Sequence, residues 1–135
     1  MGGKRTYFEC VNPILHVADM ARSVRYYTEV LGFTNAEWGG DDFTSVSRDR
    51  AGIYLALREQ GQPGTWVWIG VGDVEALHEE YKDKGAMILH PPQNFAWANE
   101  MKVKDPDGHV LRFGSEPKGE DIRAGESPAQ PERVS

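Results

Sequence analysis

The sequence has a single cysteine in 135 residues, Cys10, and this scarcity excludes two kinds of stabilising site. One thiol cannot form an internal disulfide, and it cannot by itself build a structural zinc site. This cysteine usage is typical of a reducing compartment, so we expect a cytoplasmic protein. Cys10 is interpreted as a passive thiol, because the surrounding sequence shows no His/Asp arrangement that would activate it.

Long apolar runs and an excess of basic residues are also missing. No stretch approaches the roughly 20 apolar residues of a membrane span, and the N-terminal residues lack the apolar core of a signal peptide. Fifteen Lys and Arg residues stand against 21 Asp and Glu residues, which gives a net charge of −6. This balance disfavours nucleic acid as a partner and, through the long-range field, mildly favours cationic ligands.

The remaining composition, 39% hydrophobic and 27% charged, is typical of one globular domain. The last 20 residues are different: "EPKGEDIRAGESPAQPERVS", residues 116–135, has three prolines, two glycines and almost nothing to bury. We therefore expect a disordered tail at 116–135 and a folded unit at 5–115.

The folded unit nearly repeats itself. Residues 14–33, "ILHVADMARSVRYYTEVLGF", align with residues 67–86, "VWIGVGDVEALHEEYKDKGA". Each copy begins as a strand, meets an aspartate placed to cap a helix (Asp19 or Asp73), runs with helical apolar spacing, and ends at a glycine. Further downstream, "GIYLAL" at 52–57 corresponds to "GHVLRF" at 108–113.

Each copy also has room for two strands between its helix and its closing strand. We expect these strands at about 34–38 and 43–48 in the first copy, and at about 87–90 and 99–104 in the second. The predicted fold is therefore α+β: two paired βαβββ modules, about 5–60 and 64–115, that form a curved mixed sheet with both helices on the outer face.

Strand alternation separates two faces of this sheet. One set is aliphatic and is expected to pack under the helices: Val11, Leu15, Val17, Leu55, Leu57, Val67, Ile69, Val71, Met101, Val103, Leu111 and Phe113. The other set mixes aromatic, polar and charged groups: Asn12, Ile14, His16, Tyr54, Ala56, Trp66, Trp68, Glu100, Lys102, Val110 and Arg112. That mixture suits a ligand groove, and Trp97, in the loop before the seventh strand, could form one wall of it.

Three segments carry a family resemblance. "VADMARSVRYYTEVLGF", "GIYLAL" and "VKDPDGHVLRFGSE", in this order and spacing, resemble the glyoxalase/bleomycin-resistance/extradiol-dioxygenase group, the vicinal oxygen chelate superfamily. The resemblance covers residues 10–115. It implies paired βαβββ modules, usually a homodimer, and a cleft on the concave face of the sheet.

The resemblance also implies four metal-ligand positions, which metalloenzymes of the group fill with His, Gln or Glu. In this sequence those positions carry Asn12, Ala56, Trp66 and Arg112. Alanine and tryptophan offer no ligand, and a guanidinium brings positive charge to the place of a cation. We therefore expect neither a metal site nor a cofactor.

A metal-free cleft rich in tryptophan is what the bleomycin-resistance branch of the group would imply. In that interpretation the protein confers antibiotic resistance by sequestering a planar cationic drug in a dimer cleft, without catalytic residues. The predicted ligand-binding residues are Asn12, His16, Tyr54, Trp66, Trp68, Trp97, Glu100, Lys102 and Arg112.

Other interpretations stay open at this point. Trp66 and Trp68 could serve simple packing or dimer contacts in a module without a ligand. Arg112 could be a salt-bridge partner of Glu100, and His16 could be structural. A metal-dependent enzyme of the same superfamily, with displaced ligands drawn from His16 and Glu100, is the alternative function.

Overall fold

The computed structural model describes residues 5–58 and 60–119. The first module comprises β1 (Ile14–His16), α1 (Met20–Arg25, continued by a π-helical segment at Tyr26–Val30), β2 (Thr34–Asn35), β3 (Phe43–Arg48) and β4 (Ala51–Ala56). The second comprises β5 (Trp66–Gly70), α2 (Val74–Lys84), β6 (Met87–Asn94), β7 (Asn99–Lys104) and β8 (Val110–Ser115).

Each module forms a four-stranded mixed sheet. The strand orders are β1-β4-β3-β2 and β5-β8-β7-β6. In both sheets the first and last strands of the module pair in parallel, and the other pairs are antiparallel. The α+β class and the two βαβββ modules are therefore confirmed. Within the described residues the two sheets do not hydrogen-bond to each other.

Both predicted helix caps are present. Asp19 Oδ1 accepts a hydrogen bond from the Arg22 amide at 3.1 Å. Asp73 Oδ1 accepts from the amides of Glu75 and Ala76, each at 3.1 Å. Each carboxylate satisfies amides that have no partner within their own helix, which is why the two helices begin where the repeat predicts.

The π-helical segment turns two adjacent tyrosines toward the second module. The Tyr26 hydroxyl donates to the Lys104 carbonyl at 2.8 Å and accepts from the Met87 amide at 3.0 Å. The buried Tyr27 hydroxyl donates to Asp105 Oδ2 at 2.8 Å. Burial raises the pKa of Asp105, and the Tyr27 hydrogen bond partly offsets this shift.

The turn at 105–108, "DPDG", joins the two modules. Asp107 accepts hydrogen bonds from the Ala18 amide at 2.7 Å, from Arg22 Nη2 at 3.1 Å and from Ser23 Oγ at 2.6 Å. Gly108 has a φ of 84°, a conformation that glycine adopts without strain. This turn therefore orders the closing strand of the second module against the helix of the first.

His109, which follows this turn, makes a second link that the sequence did not predict. Its fully buried ring accepts from the Thr65 amide at Nδ1, at 2.9 Å, and its Nε2 lies 2.6 Å from the His16 carbonyl oxygen. Since Nδ1 is the acceptor, we assign the ring proton to Nε2, which donates to His16. His16 thus contributes its backbone to module docking.

The two aliphatic strand faces and the helices share one hydrophobic core. Leu15, Leu55, Met101 and Leu111 are fully buried there, as the alternation predicted. Val11 is the exception, with 93% of its surface exposed. Its prediction was wrong because β1 begins only at Ile14, so the strand alternation does not reach residue 11.

Two other bounds differ from the sequence prediction. β2 ends at Asn35 instead of position 38. β6 continues to Asn94 instead of ending at about position 90, and it therefore includes Pro91 and Pro92. Proline is tolerated there because β6 is an edge strand and its register shifts between His90 and Gln93. The tail predicted at 116–135 lies outside the described residues beyond position 119.

Candidate functional site

The faces of the two sheets that point away from the core carry the predicted site residues. On the second sheet the strand register aligns side chains in rows, because directly paired residues point to the same face. One row contains Trp68, Arg112 and Lys102, and the neighbouring row contains Trp66, Val110 and Lys104. Trp66 and Trp68 are 58% and 46% exposed.

Trp68 lies flat on a floor made by two glycines. A Cβ atom added to Gly114 would lie 2.8 Å from Trp68 Cζ2, and one added to Gly70 would lie 3.1 Å from Cζ3. The two glycines thus let the indole approach the backbone closely. The indole therefore packs against the sheet, while 46% of the Trp68 surface is exposed.

A buried carboxylate fixes the position of this indole. Trp68 Nε1 donates to Glu100 Oε2 at 2.8 Å. Arg112 Nη2 donates to both oxygens of the same carboxylate, at 2.8 and 3.0 Å, and its Nε lies 3.3 Å from Oε1. The Glu100 side chain is only 2% exposed. Both oxygens are therefore used within the protein, and the Arg112 pairing with Glu100 that the sequence left open is present.

Lys102 belongs to the same row as Trp68 and is half-buried. Its Nζ lies 3.4 Å from His90 Nε2, while His90 Nδ1 lies 2.8 Å from the Pro91 carbonyl oxygen. Since a carbonyl only accepts, we assign the ring proton to Nδ1, and Nε2 then accepts from the Lys102 ammonium.

The first sheet presents a stack of three aromatic rings. The rings of Tyr54 and Phe43 are 5.2 Å apart with an interplanar angle of 23°, and those of Phe43 and Trp38 are 6.3 Å apart at 25°. Trp38 is 62% exposed. Tyr54 was predicted, whereas Trp38 and Phe43 were not. The signal for Phe43 was its position at the start of a predicted strand. Trp38 was expected to end the strand at 34–38, but β2 ends at Asn35 and Trp38 lies in the loop that follows.

The other predicted residues occupy three different places. Asn12 is half-buried next to the first sheet, where its Nδ2 donates to the Gly52 carbonyl at 2.9 Å. The His16 side chain lies on the same face as Tyr54, half-buried. Trp97 lies in the turn between β6 and β7, where its ring stacks on Phe95 at 4.7 Å and 2°. The structure thus joins Trp68, Glu100 and Arg112 directly.

The strand register corrects one of the four metal-ligand positions. The Val17 amide donates to the Ala56 carbonyl, and the Val71 amide, 54 residues later, donates to the Gly114 carbonyl. Ala56 therefore corresponds to Gly114, and the equivalent of Arg112 is Tyr54, which lies 58 residues before it. Sequence similarity aligned the two closing strands with an offset of 56 residues, whereas the hydrogen-bond register gives 58. That alignment was therefore wrong by two residues.

The corrected set of Asn12, Tyr54, Trp66 and Arg112 does not fit a divalent metal ion. The Asn12 amide is bonded to Gly52, and the Arg112 guanidinium lies against Glu100. A cation beside that guanidinium would be repelled, and phenol and indole groups are poor ligands for it. Within residues 5–58 and 60–119, no group of three or more His, Cys, Asp or Glu side chains is arranged to hold a metal.

A crevice of about 690 Å³ lies between the two modules and reaches Trp68 and Gly70. Its lining includes the start of β4, the end of β5 and the first turns of α2, and Trp68 is the one predicted site residue in it. Arg48 and Glu80, both in the lining, form an ion pair at 2.9 and 3.0 Å. Arg48 is on β3 and Glu80 on α2, so this pair links the two modules beside the crevice.

The family assignment rests on the whole folded unit. The model of the Glyoxalase/Bleomycin resistance protein/Dioxygenase superfamily matches residues 10–113. The chain belongs to this superfamily. The superfamily membership predicted from the sequence is therefore confirmed. No curated protein sequence is significantly similar to the chain. Among the described residues, no helix has the length and apolarity needed to cross a membrane.

Several solved structures resemble this one. The bleomycin-binding protein from bleomycin-producing Streptomyces verticillus, complexed with copper(II)-bleomycin, is 25% identical with a TM-score of 0.72, over 84% of this chain and 100% of that one. TnmS3, an antibiotic binding protein from Streptomyces sp. CB03234, is 21% identical with a TM-score of 0.68, over 84% and 100%. A glyoxalase/bleomycin resistance protein/dioxygenase from Nocardioides is 17% identical with a TM-score of 0.65, over 92% and 93%. The last two show the shared fold alone.

Proposed function

We propose that this protein is a metal-free binding protein of the bleomycin-resistance type, which sequesters a planar drug-like molecule and releases it unchanged. The observation that carries the proposal is the Trp68 indole, which lies flat on Gly70 and Gly114 and is held there by Glu100. A ring fixed in this way loses little freedom when a planar ligand stacks on it, and preorganisation of this kind favours affinity.

The similarity to the Streptomyces verticillus bleomycin-binding protein, over 84% of this chain, supports a ligand of that class. The planar cationic ligand expected from the sequence rested on Glu100 and on the net charge of −6. Glu100 is neutralised by Arg112, so in this proposal a cation is attracted by the long-range field of the chain alone.

We also propose that the site is completed in a homodimer. The two aromatic faces belong to different sheets of the chain, and large apolar side chains are exposed on both of them and on the segment that precedes β1. Patches of exposed aromatic surface are typical of interaction sites. The exposed residues are Tyr7, Phe8, Val11, Ile14, Trp38, Trp66 and Trp68. In a dimer, the aromatic stack of one protomer would face the Trp68 surface of its partner.

Isothermal titration calorimetry with bleomycin and a panel of planar drugs tests the proposal, in buffer treated with a chelator. We expect binding by at least one compound, and a loss of that binding in Trp68→Ala. Leu89→Ala is the control, because Leu89 is 49% exposed on β6 and is not one of the residues of the proposed dimer site. If no compound binds, or if binding requires an added metal ion, the proposal is wrong.

A further inference from the structure

Two positive charges lie directly opposite each other beside the Trp68 ring. Lys102 on β7 and Arg112 on β8 are register partners, so their side chains leave the same face of the sheet. The Cα atoms of such partners are about 4.5 to 5.5 Å apart. Like charges at this position destabilise a sheet. The ion pair with Glu100 accounts for Arg112, but it gives no reason for the second charge on Lys102.

The carboxylate beside the pair neutralises one of the two charges. Glu100 is bound by Nε and Nη2 of Arg112, and within the described part of the chain Arg112 Nη1 makes no hydrogen bond. Lys102 contacts the uncharged acceptor nitrogen of His90. In residues 5–58 and 60–119, no carboxylate forms a salt bridge with Lys102 or with Lys104 in the next row. The face around Trp68 is locally positive, although the whole chain is negative.

The cationic groups of Lys102 and Arg112 lie near Trp68 and are held in place by neighbouring side chains. Trp68, Arg112 and Lys102 follow each other on three neighbouring strands, so Lys102 starts two strand spacings, about 10 Å, from the Trp68 backbone. The Arg112 guanidinium is fixed by Glu100, and the Lys102 ammonium is oriented by His90. A group that reaches both cations can belong to the same molecule that stacks on the indole.

We propose that Arg112 Nη1 and Lys102 Nζ form an anion subsite next to Trp68, and that the ligand is a planar aromatic molecule bearing a carboxylate, sulfonate or phosphate group. This inference rests on the proposed function and deepens it, because it assigns to the ligand a charge opposite to the one that the sequence favours. A ligand with both cationic and acidic groups satisfies the long-range and the local fields together.

Matched probes of one ring system and different charge test the inference. The full-length protein is titrated by calorimetry with anthraquinone-2-sulfonate, anthraquinone-2-carboxylate, the neutral 2-hydroxymethyl compound and the cationic 2-aminomethyl compound. We expect both anions to bind about tenfold more tightly than the neutral probe, as one charge-assisted hydrogen bond would give. The cationic probe is expected to bind most weakly.

The variant Lys102→Met removes the charge and keeps the length of the side chain. It should abolish the tenfold preference of the native protein for the anionic probes over the neutral probe. Lys84→Met, on the exposed end of α2, is the matched control and should keep the preference. Because a like-charge contact is removed, Lys102→Met should unfold at a temperature no lower than the native protein.

The outcomes separate this inference from the proposal on which it rests. If all four probes bind the native protein equally, or if Lys102→Met retains the preference for anions, the anion subsite is refuted while the aromatic platform stands. If none of the probes binds and bleomycin does not bind either, the proposed function fails and the subsite fails with it.

Discussion

Trp68 Nε1 donates a 2.8 Å hydrogen bond to Glu100, a carboxylate whose side chain is 2% exposed and which also binds Arg112. An indole, a buried acid and a guanidinium on three neighbouring strands thus form one rigid unit. In the proposed function, ligand binding depends on the same three side chains as stability, so variants of this unit are expected to change both.

Replacing Glu100 with Gln is expected to destabilise the protein strongly. The change leaves the Arg112 guanidinium, whose side chain is 17% exposed, without its counter-charge. Breaking a buried ion pair by removing one partner costs about 3 kcal/mol or more. Urea unfolding followed by circular dichroism measures this loss. Glu79→Gln is the control, because Glu79 forms an exposed ion pair with Lys82. It should change the free energy of unfolding by less than about 1 kcal/mol. An equally small change in Glu100→Gln would show that the buried ion pair does not stabilise the fold.

Gly114→Ala is expected to weaken ligand binding by displacing the indole. The added methyl group would lie 2.8 Å from Trp68 Cζ2 and 3.2 Å from Glu100 Cγ, so the ring must rise from the sheet. We expect at least a tenfold loss of affinity, or about 1.4 kcal/mol, for the planar ligand found by calorimetry. Gly72→Ala is the control, since a Cβ there meets no atom within 4 Å. Equal affinities of the two variants would contradict the role of the glycine floor.

His109→Ala is expected to loosen the docking of the two modules. The ring bridges the Thr65 amide and the His16 carbonyl, and its loss leaves two partly buried backbone groups unsatisfied as well as a cavity. The expected cost is about 3 kcal/mol in the free energy of unfolding. His78→Ala, on the partly exposed side of α2, should cost much less. Hydrogen exchange would also show faster opening of β1 and β8 in His109→Ala; an unchanged exchange pattern would rule out the bridging role.

Two acidic groups should respond to pH in opposite directions. The Arg48 guanidinium lowers the pKa of Glu80, with a smaller contribution from Lys84, so the stability it contributes is present at neutral pH and is lost as the pH falls through that lowered pKa. Burial raises the pKa of Asp105, so its contribution grows as the pH falls. In Glu80→Gln, the acid-induced loss of stability should therefore be smaller than in the native protein, and in Asp105→Asn it should be larger. Unfolding free energies measured between about pH 3 and 7 test this, and the same slope in both variants would contradict it.

Local sequence signals predicted the framework of the fold correctly. Asp19 and Asp73 cap their helices by binding amides only two or three residues further along the chain. Strand alternation correctly placed residues such as Leu55 and Leu111 in the core. Both effects are local, so they can be predicted without knowledge of distant residues. The buried pair of Glu100 and Arg112 was open to the same reasoning, since both residues lie on one face of adjacent strands.

The remaining features depend on contacts that no local pattern describes. The equivalence of Tyr54 and Arg112 follows from the hydrogen-bond register of the strands. Sequence similarity between the closing strands instead paired Arg112 with Ala56, two residues away. The stack of Trp38 on Phe43 joins a loop to a strand, and His109 binds a backbone 93 residues distant. The flat position of Trp68 requires two glycines on different strands, which only the parallel pairing of β5 and β8 brings together.

Native mass spectrometry of the protein with its best planar ligand tests the central claim most directly, because one spectrum gives subunit number, ligand mass and bound metal. We predict a dimer that carries ligand of unchanged mass and no metal ion, and the ligand recovered after denaturation should be intact. A bound metal ion at one per subunit, or a ligand that returns chemically altered, would contradict the account and favour a metal-dependent enzyme of the same superfamily.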